Sequence, residues 1–158
     1  MISLHDAGKR TTPDFILLMA NYYATARSNY FTVKDVEAFK KWAEELCLTV
    51  HEERRDENSK EPRRFAIFAD NGDSNGWPGY NYETDEEVDI FTALAPHLAD
   101  GEVAVLMEAG AEKLRYVTGY AVAIHSSGKT KEISLNGIYA LAAEEFGVDQ
   151  ASISRCEY

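Results

Sequence analysis

Histidine and cysteine are the residue types best suited to metal or nucleophilic chemistry, and their spacing in this chain supports neither. His5, His51, His97 and His125 lie far apart, and Cys47 and Cys156 form no Cys-x-x-Cys pair. Neither a zinc site nor a disulfide framework is therefore implied. His51 and His125 fall on predicted strands and could meet in space, but no spacing compels it. Cys47 closes an apolar helical stripe between Leu46 and Leu48 and reads as a buried structural thiol. The chain contains no GxSxG, no phosphate-binding loop, no HExxH and no GxGxxG after a strand. The loop Asn71-Gly72-Asp73-Ser74-Asn75-Gly76 matches the first six positions of a calcium loop. The match then fails, with Pro78 at position 8 and Tyr82 where a bidentate Glu belongs. These residues argue against an enzyme and imply no metal and no cofactor.

What the chain does concentrate is carboxylate. It has 158 residues with 27 Asp and Glu against 16 Lys and Arg, a net charge of −11. From Asp70 to Glu112 there are eleven acids and no Lys or Arg, while the remaining sixteen acids are matched by sixteen bases. One continuous block supplies the whole excess. Such a balance argues against direct binding to nucleic acid or to an anionic membrane, because both require basic surface. Apolar residues interleave with these acids at strand and helix spacings, so the block reads as a folded acidic surface rather than a tail. It either keeps the protein soluble as a solvated face or presents a negative field to a basic partner. On the second reading, Glu83, Asp85, Glu86, Glu87 and Asp89 form a helix-start cluster, flanked by Asp70, Asp73, Asp100 and Glu102. Trp77 and Tyr80 would add apolar anchorage beside it. Trp77 could equally fold back and seal the core.

The elements that would position this block follow from periodicity. Tyr22 to Val33 is rich in Tyr, Thr, Phe and Val and predicts a strand. Thr32-Val33-Lys34-Asp35 resembles a capping box, and Val36, Phe39, Trp42, Ala43 and Leu46 make a helical stripe. Strands are expected over 48–52 and 64–69, the second apolar on both faces and hence central. The Gly/Asn-rich segment from Asp70 to Tyr82 reads as a long turn region. A second helix should start at the capping box Thr84-Asp85-Glu86-Glu87 and bury Val88, Phe91, Leu94, Ala95 and Leu98. Strands over 102–108 and 113–125 should flank a turn at Ala109–Glu112, with a bulge at Gly119. A strand over 130–134 and a helix over 135–146 complete the chain, with Ile138, Leu141 and Ala142 inward and Gly147 as the stop. The first six elements run β-α-β-β-α-β, the order of a ferredoxin-like split βαβ core. The expected fold class is α+β, a mainly antiparallel sheet extended by the C-terminal hairpin and helix.

Residues 1–18 show no clear period and read as a leader or accessory segment, leaving 19–158 as one α+β domain. The longest strictly apolar run, Phe15 to Ala20, has six residues, far short of the ~18–20 a membrane span needs. A cytoplasmic protein is the expectation.

Three stretches also look familiar together: Met19-Ala20-Asn21-Tyr22-Tyr23 through Ser28-Asn29-Tyr30-Phe31-Thr32-Val33-Lys34-Asp35, the loop Asn75-Gly76-Trp77-Pro78, and Ala95-Pro96-His97-Leu98-Ala99-Asp100-Gly101-Glu102-Val103 through Gly119-Tyr120-Ala121-Val122. Over residues 19–147 the chain resembles a family of small acidic proteins carried by phages, plasmids and integrated elements of bacteria. Those motifs carry no catalytic residue. The resemblance implies defence evasion, the role of anti-CRISPR and antirestriction proteins, many of them small, acidic and without enzymatic motifs. The leading expectation is a non-enzymatic inhibitor that blocks a basic nucleic-acid-binding site on a host defence protein or complex. The alternative is an accessory module of the mobile element that works by protein contact or self-association as a homodimer, with its acidity serving only solubility.

Overall fold

The computed structural model describes residues 22–56, 58–69, 76–81, 83–112 and 116–156. The expected leader, residues 1–18, lies outside them, as does most of the calcium-like loop. In chain order the elements are strands β1 (Tyr22–Ser28) and β2 (Phe31–Thr32), helix α1 (Val36–Glu45), β3 (Thr49–Glu52), β4 (Arg64–Ala69), β5 (Tyr80–Asn81) and β6 (Glu86–Glu87). The short helix α2 (Ile90–Leu94), β7 (Val103–Glu112), β8 (Tyr116–His125), β9 (Thr130–Ser134) and α3 (Ile138–Phe146) follow. Short 3-10 turns sit at Ala95–His97, Leu135–Gly137 and Gln150–Ser152. The architecture is α+β, with helices beside a mainly antiparallel sheet. Among the described residues no helix is long and apolar enough to cross a membrane.

The main sheet runs β3-β4-β1/β2-β7-β8-β9, every pair antiparallel. The single strand expected over 22–33 is broken where its register against β4 slips by one residue, between the Arg27–Phe68 and Phe31–Phe65 pairs. That slip is the signature of a β-bulge. Side chains take over the interrupted ladder: the Ser28 hydroxyl accepts the Ile67 N–H at 2.9 Å. The Asn29 carboxamide accepts the Val105 N–H at 2.7 Å and donates to the Val103 carbonyl. The bulge expected at Gly119 does not form, since β7 and β8 pair in one unbroken register through Ala109–Gly119. The turn expected at Ala109–Glu112 is likewise absent, because those residues continue the ladder to Glu112–Tyr116.

Strand alternation separates two faces. The inner face carries Ala26, Phe65, Ile67, Ala104, Leu106, Val122 and Ile124, all in the core. α1 lays Phe39 on this face, with its ring 5.7 Å from both Phe31 and Phe65. The helix begins later than the sequence suggests. Asp35 rather than Thr32 is its cap, accepting the Glu37 and Ala38 N–H groups. At its other end Cys47 takes a left-handed φ of 54° and is exposed, not buried, because the chain must reverse there to enter β3. The second crossover is tied back to the first through Lys34 N–H to the His97 carbonyl and Ala99 N–H to the Thr32 carbonyl. His51 and His125 do not meet. His51 packs on Phe68, and three strands separate β3 from β8.

His97 is half-buried against Trp42, with ring centroids 5.0 Å apart. Burial pushes its pKa below the ordinary value of 6.5, and nearby Asp35 only partly opposes this. The folded state therefore favours neutral imidazole. Its contribution to stability is complete above pH 6.5 and is lost as pH falls through the lowered folded value. Thermal melts of the wild type should fall in Tm as pH drops from 6.5 toward about 5, whereas His97→Phe should flatten that slope while keeping the aromatic contact.

Candidate functional site

The acidic cluster is held on a ribbon rather than on a helix. β5 and β6 form a two-stranded hairpin, pairing Tyr80 with Glu87 and Asn81 with Glu86, and the Val88 N–H extends it to the Gly79 carbonyl. The buried Asn81 carboxamide accepts the amides of Glu83 and Thr84, forming a side-chain turn. With Asp85 at a left-handed φ of 59°, the segment after Thr84 cannot start a helix. Asp89 caps α2 instead, accepting the Phe91 N–H at 3.0 Å. The expected helix-start cluster is thus corrected. Glu86 and Glu87 lie on a strand, and α2 is short, running into the 3-10 turn at Ala95–His97.

Glu83, Asp85, Glu86, Glu87 and Asp89 are all exposed, and none forms an ion pair among the described residues. Asp85 accepts the Tyr80 hydroxyl, which orients that carboxylate and ties down the half-buried ring. The other acids named from the sequence do different work. Asp100 pairs with Lys34 at 3.1 Å on the surface. Glu102 accepts both the Thr32 N–H and its hydroxyl, stitching β2 to the start of β7. Burial opposes ionisation of Glu102, but these hydrogen bonds win and hold its carboxyl below the usual range. Asp70 and Asp73 lie outside the described residues. Trp77 is half-buried and packs against the core. Among the described residues its indole Nε1 finds no hydrogen-bond partner.

The residue that anchors the ribbon is Glu108, which the sequence reading did not single out. It is 7% exposed on the inner face of β7. Its carboxylate accepts the Tyr22 hydroxyl at 2.7 Å, the Tyr120 hydroxyl at 3.0 Å and the Trp77 backbone N–H at 2.9 Å. Gly76 lets the loop descend that far. Its φ is 92°, and a Cβ there would overlap the Glu108 carboxylate. Burial and the neighbouring carboxylate push the Tyr22 hydroxyl up to about 12 and raise that of Tyr120 in the same way. Both tyrosines thus stay protonated as donors. Tyr120 also meets the Phe91 ring of α2 edge-on at 6.1 Å. The signal was legible in principle: Ala104, Leu106 and Glu108 share one parity of the strand, and an acid at a core parity demands partners.

No grouping of His, Cys, Asp and Glu among the described residues could hold a metal ion. Comparison with protein families, curated proteins and solved structures finds no match to this chain.

Glu108→Ala leaves two half-buried hydroxyls and one half-buried amide without an acceptor. It should cost roughly 2–4 kcal/mol of unfolding free energy in denaturant titrations. Tyr22→Phe and Tyr120→Phe, each removing one donor, should cost about 1 kcal/mol apiece. Equal stability of Glu108→Ala and wild type would show that the carboxylate does not anchor the loop.

Proposed function

We propose that the protein is a non-enzymatic inhibitor from a mobile element. It uses the acidic ribbon to block a basic nucleic-acid-binding surface on a bacterial host defence protein or complex, in the cytoplasm of the host cell. The supporting observation is the array at Glu83, Asp85, Glu86, Glu87 and Asp89: five exposed carboxylates within seven residues and, among the described residues, without a cationic partner. Mutual repulsion makes such an array costly unless a partner neutralises it. Held on a hairpin and anchored through Trp77, it offers fixed anionic positions that can replace phosphates and release the counterions of a basic channel. The resemblance to small acidic proteins of phages and plasmids supports the same reading. Strand order supports one finer point, that β1/β2, α1, β3, β4, α2 and β7 form a ferredoxin-like split βαβ core to which β8, β9 and α3 are added.

Affinity capture from bacterial lysates that contain several defence systems tests the reading, with washes at low and high salt. A nucleic-acid-handling complex should be retained at low salt and released at high salt. Glu86→Lys combined with Glu87→Lys should weaken its binding on the order of 100-fold while leaving the melting curve close to wild type. Capture that survives both the double reversal and the high-salt wash would refute the acidic-inhibitor reading.

A further inference from the structure

The sheet has a second face, and among the described residues no helix covers it. Outward positions of β7, β8 and β9 include Met107, Ala109, Val117, Ala121 and Ile133, with Met107 55%, Val117 66% and Ile133 68% exposed. A largely apolar groove of about 420 Å³ runs along this face between Met107, Ala121, Ile133 and Leu135. Leu135 closes its near end by lying over Gly119, within 3.0 Å of where a Cβ would stand. The outward positions of this face carry no acid. Outward positions of β1, β7, β8 and β9 carry Arg27, His125 and Lys131 and no carboxylate.

The same chain exposes a helix of opposite character. α3 was expected to turn Ile138, Leu141 and Ala142 inward, but it buries no residue. Ile138, Leu141 and Phe146 are 58%, 62% and 73% exposed. Glu145 lies within this stripe, one turn after Leu141, and Glu144 lies at its edge; neither makes an ion pair among the described residues. The Tyr139 side of the helix is already occupied, since its hydroxyl accepts the Cys156 N–H and Arg155 lies over its ring. A nine-residue helix with its apolar side in water is marginal on its own. Its nearest packed elements are the 3-10 turns on either side, so the helix leads off the sheet instead of back over it.

From these two surfaces we infer that the protein pairs with a second copy of itself, each copy laying its α3 into the other's sheet groove. Ile138, Leu141 and Phe146 fill the apolar floor, and Glu144 and Glu145 approach Arg27 and Lys131. A two-fold axis satisfies both unpartnered surfaces of both chains at once and leaves none to propagate. The contact uses the sheet face, not a strand edge. It also lies opposite the acidic ribbon, which is anchored to the inward-pointing Glu108, so neither function obstructs the other.

The test combines light scattering with cross-linking. The wild type should be a dimer that Leu141→Glu and Met107→Glu each weaken by roughly 30-fold or more, as for a central interface anchor. Both side chains are exposed in one copy, so folding should be retained, and circular dichroism checks it. In a Cys47→Ser, Cys156→Ser background, Met107→Cys on one tagged copy should form a disulfide with Leu141→Cys on a differently tagged copy. Three results would overturn the inference. One is a monomer at all concentrations, whether another part of the chain covers the groove or nothing does. Another is a disulfide formed only within a chain carrying both cysteines. The third is a dimer indifferent to both glutamate substitutions.

Discussion

A carboxylate taken out of water is costly unless hydrogen bonds replace those it loses. Glu108 meets that condition through donors from three parts of the chain: Tyr22 on β1, Tyr120 on β8 and the Trp77 amide of the incoming loop. Two of these donors belong to the neighbouring strands of β7, so the carboxylate ties the middle of the sheet across its width. The third fixes where the ribbon is attached. Through Phe91, Tyr120 extends the same arrangement to α2. Position, orientation and rigidity of the acidic hairpin thus depend on one buried charge.

The sheet divides the chemistry of the chain between its faces. The inner face holds the core, helices α1 and α2 and the attachment of a hairpin rich in exposed carboxylates. The outer face is apolar and carries only basic or neutral groups across β1, β7, β8 and β9. A net charge of −11 describes neither face. Segregation of this kind allows an anionic contact and an apolar contact on one small protein without either surface neutralising the other.

Periodicity placed several elements well. β4 occupies 64–69 and β9 occupies 130–134 as alternation and turn residues suggested, and Gly147 ends α3 with a left-handed φ of 65°. Local signals failed where another partner competed for the same group. The Thr84-Asp85-Glu86-Glu87 box resembles a helix start, but Asp85 takes a left-handed φ and β5 takes β6. The small residues Ala109, Gly110 and Ala111 resemble a turn, yet they continue the β7 ladder, with Gly110 allowing the close approach of β1 at Tyr23 and Ala24. The apolar stripe of α3 was readable, but periodicity reports only that a stripe exists and not what covers it. The carboxylates of the ribbon were legible as charge. For Glu108, strand parity marks an acid at a core position, but its partners are remote in sequence and were not legible.

The central claim is that the ribbon is a fixed array rather than a loose acidic loop, and amide hydrogen exchange of the free protein tests it most directly. If Glu108 pins the ribbon, the Trp77 and Val88 amides should be protected to a degree approaching that of β7, and should be released together with the core. Exchange of both amides at the rate of unstructured peptide, while β7 stays protected, would contradict the account.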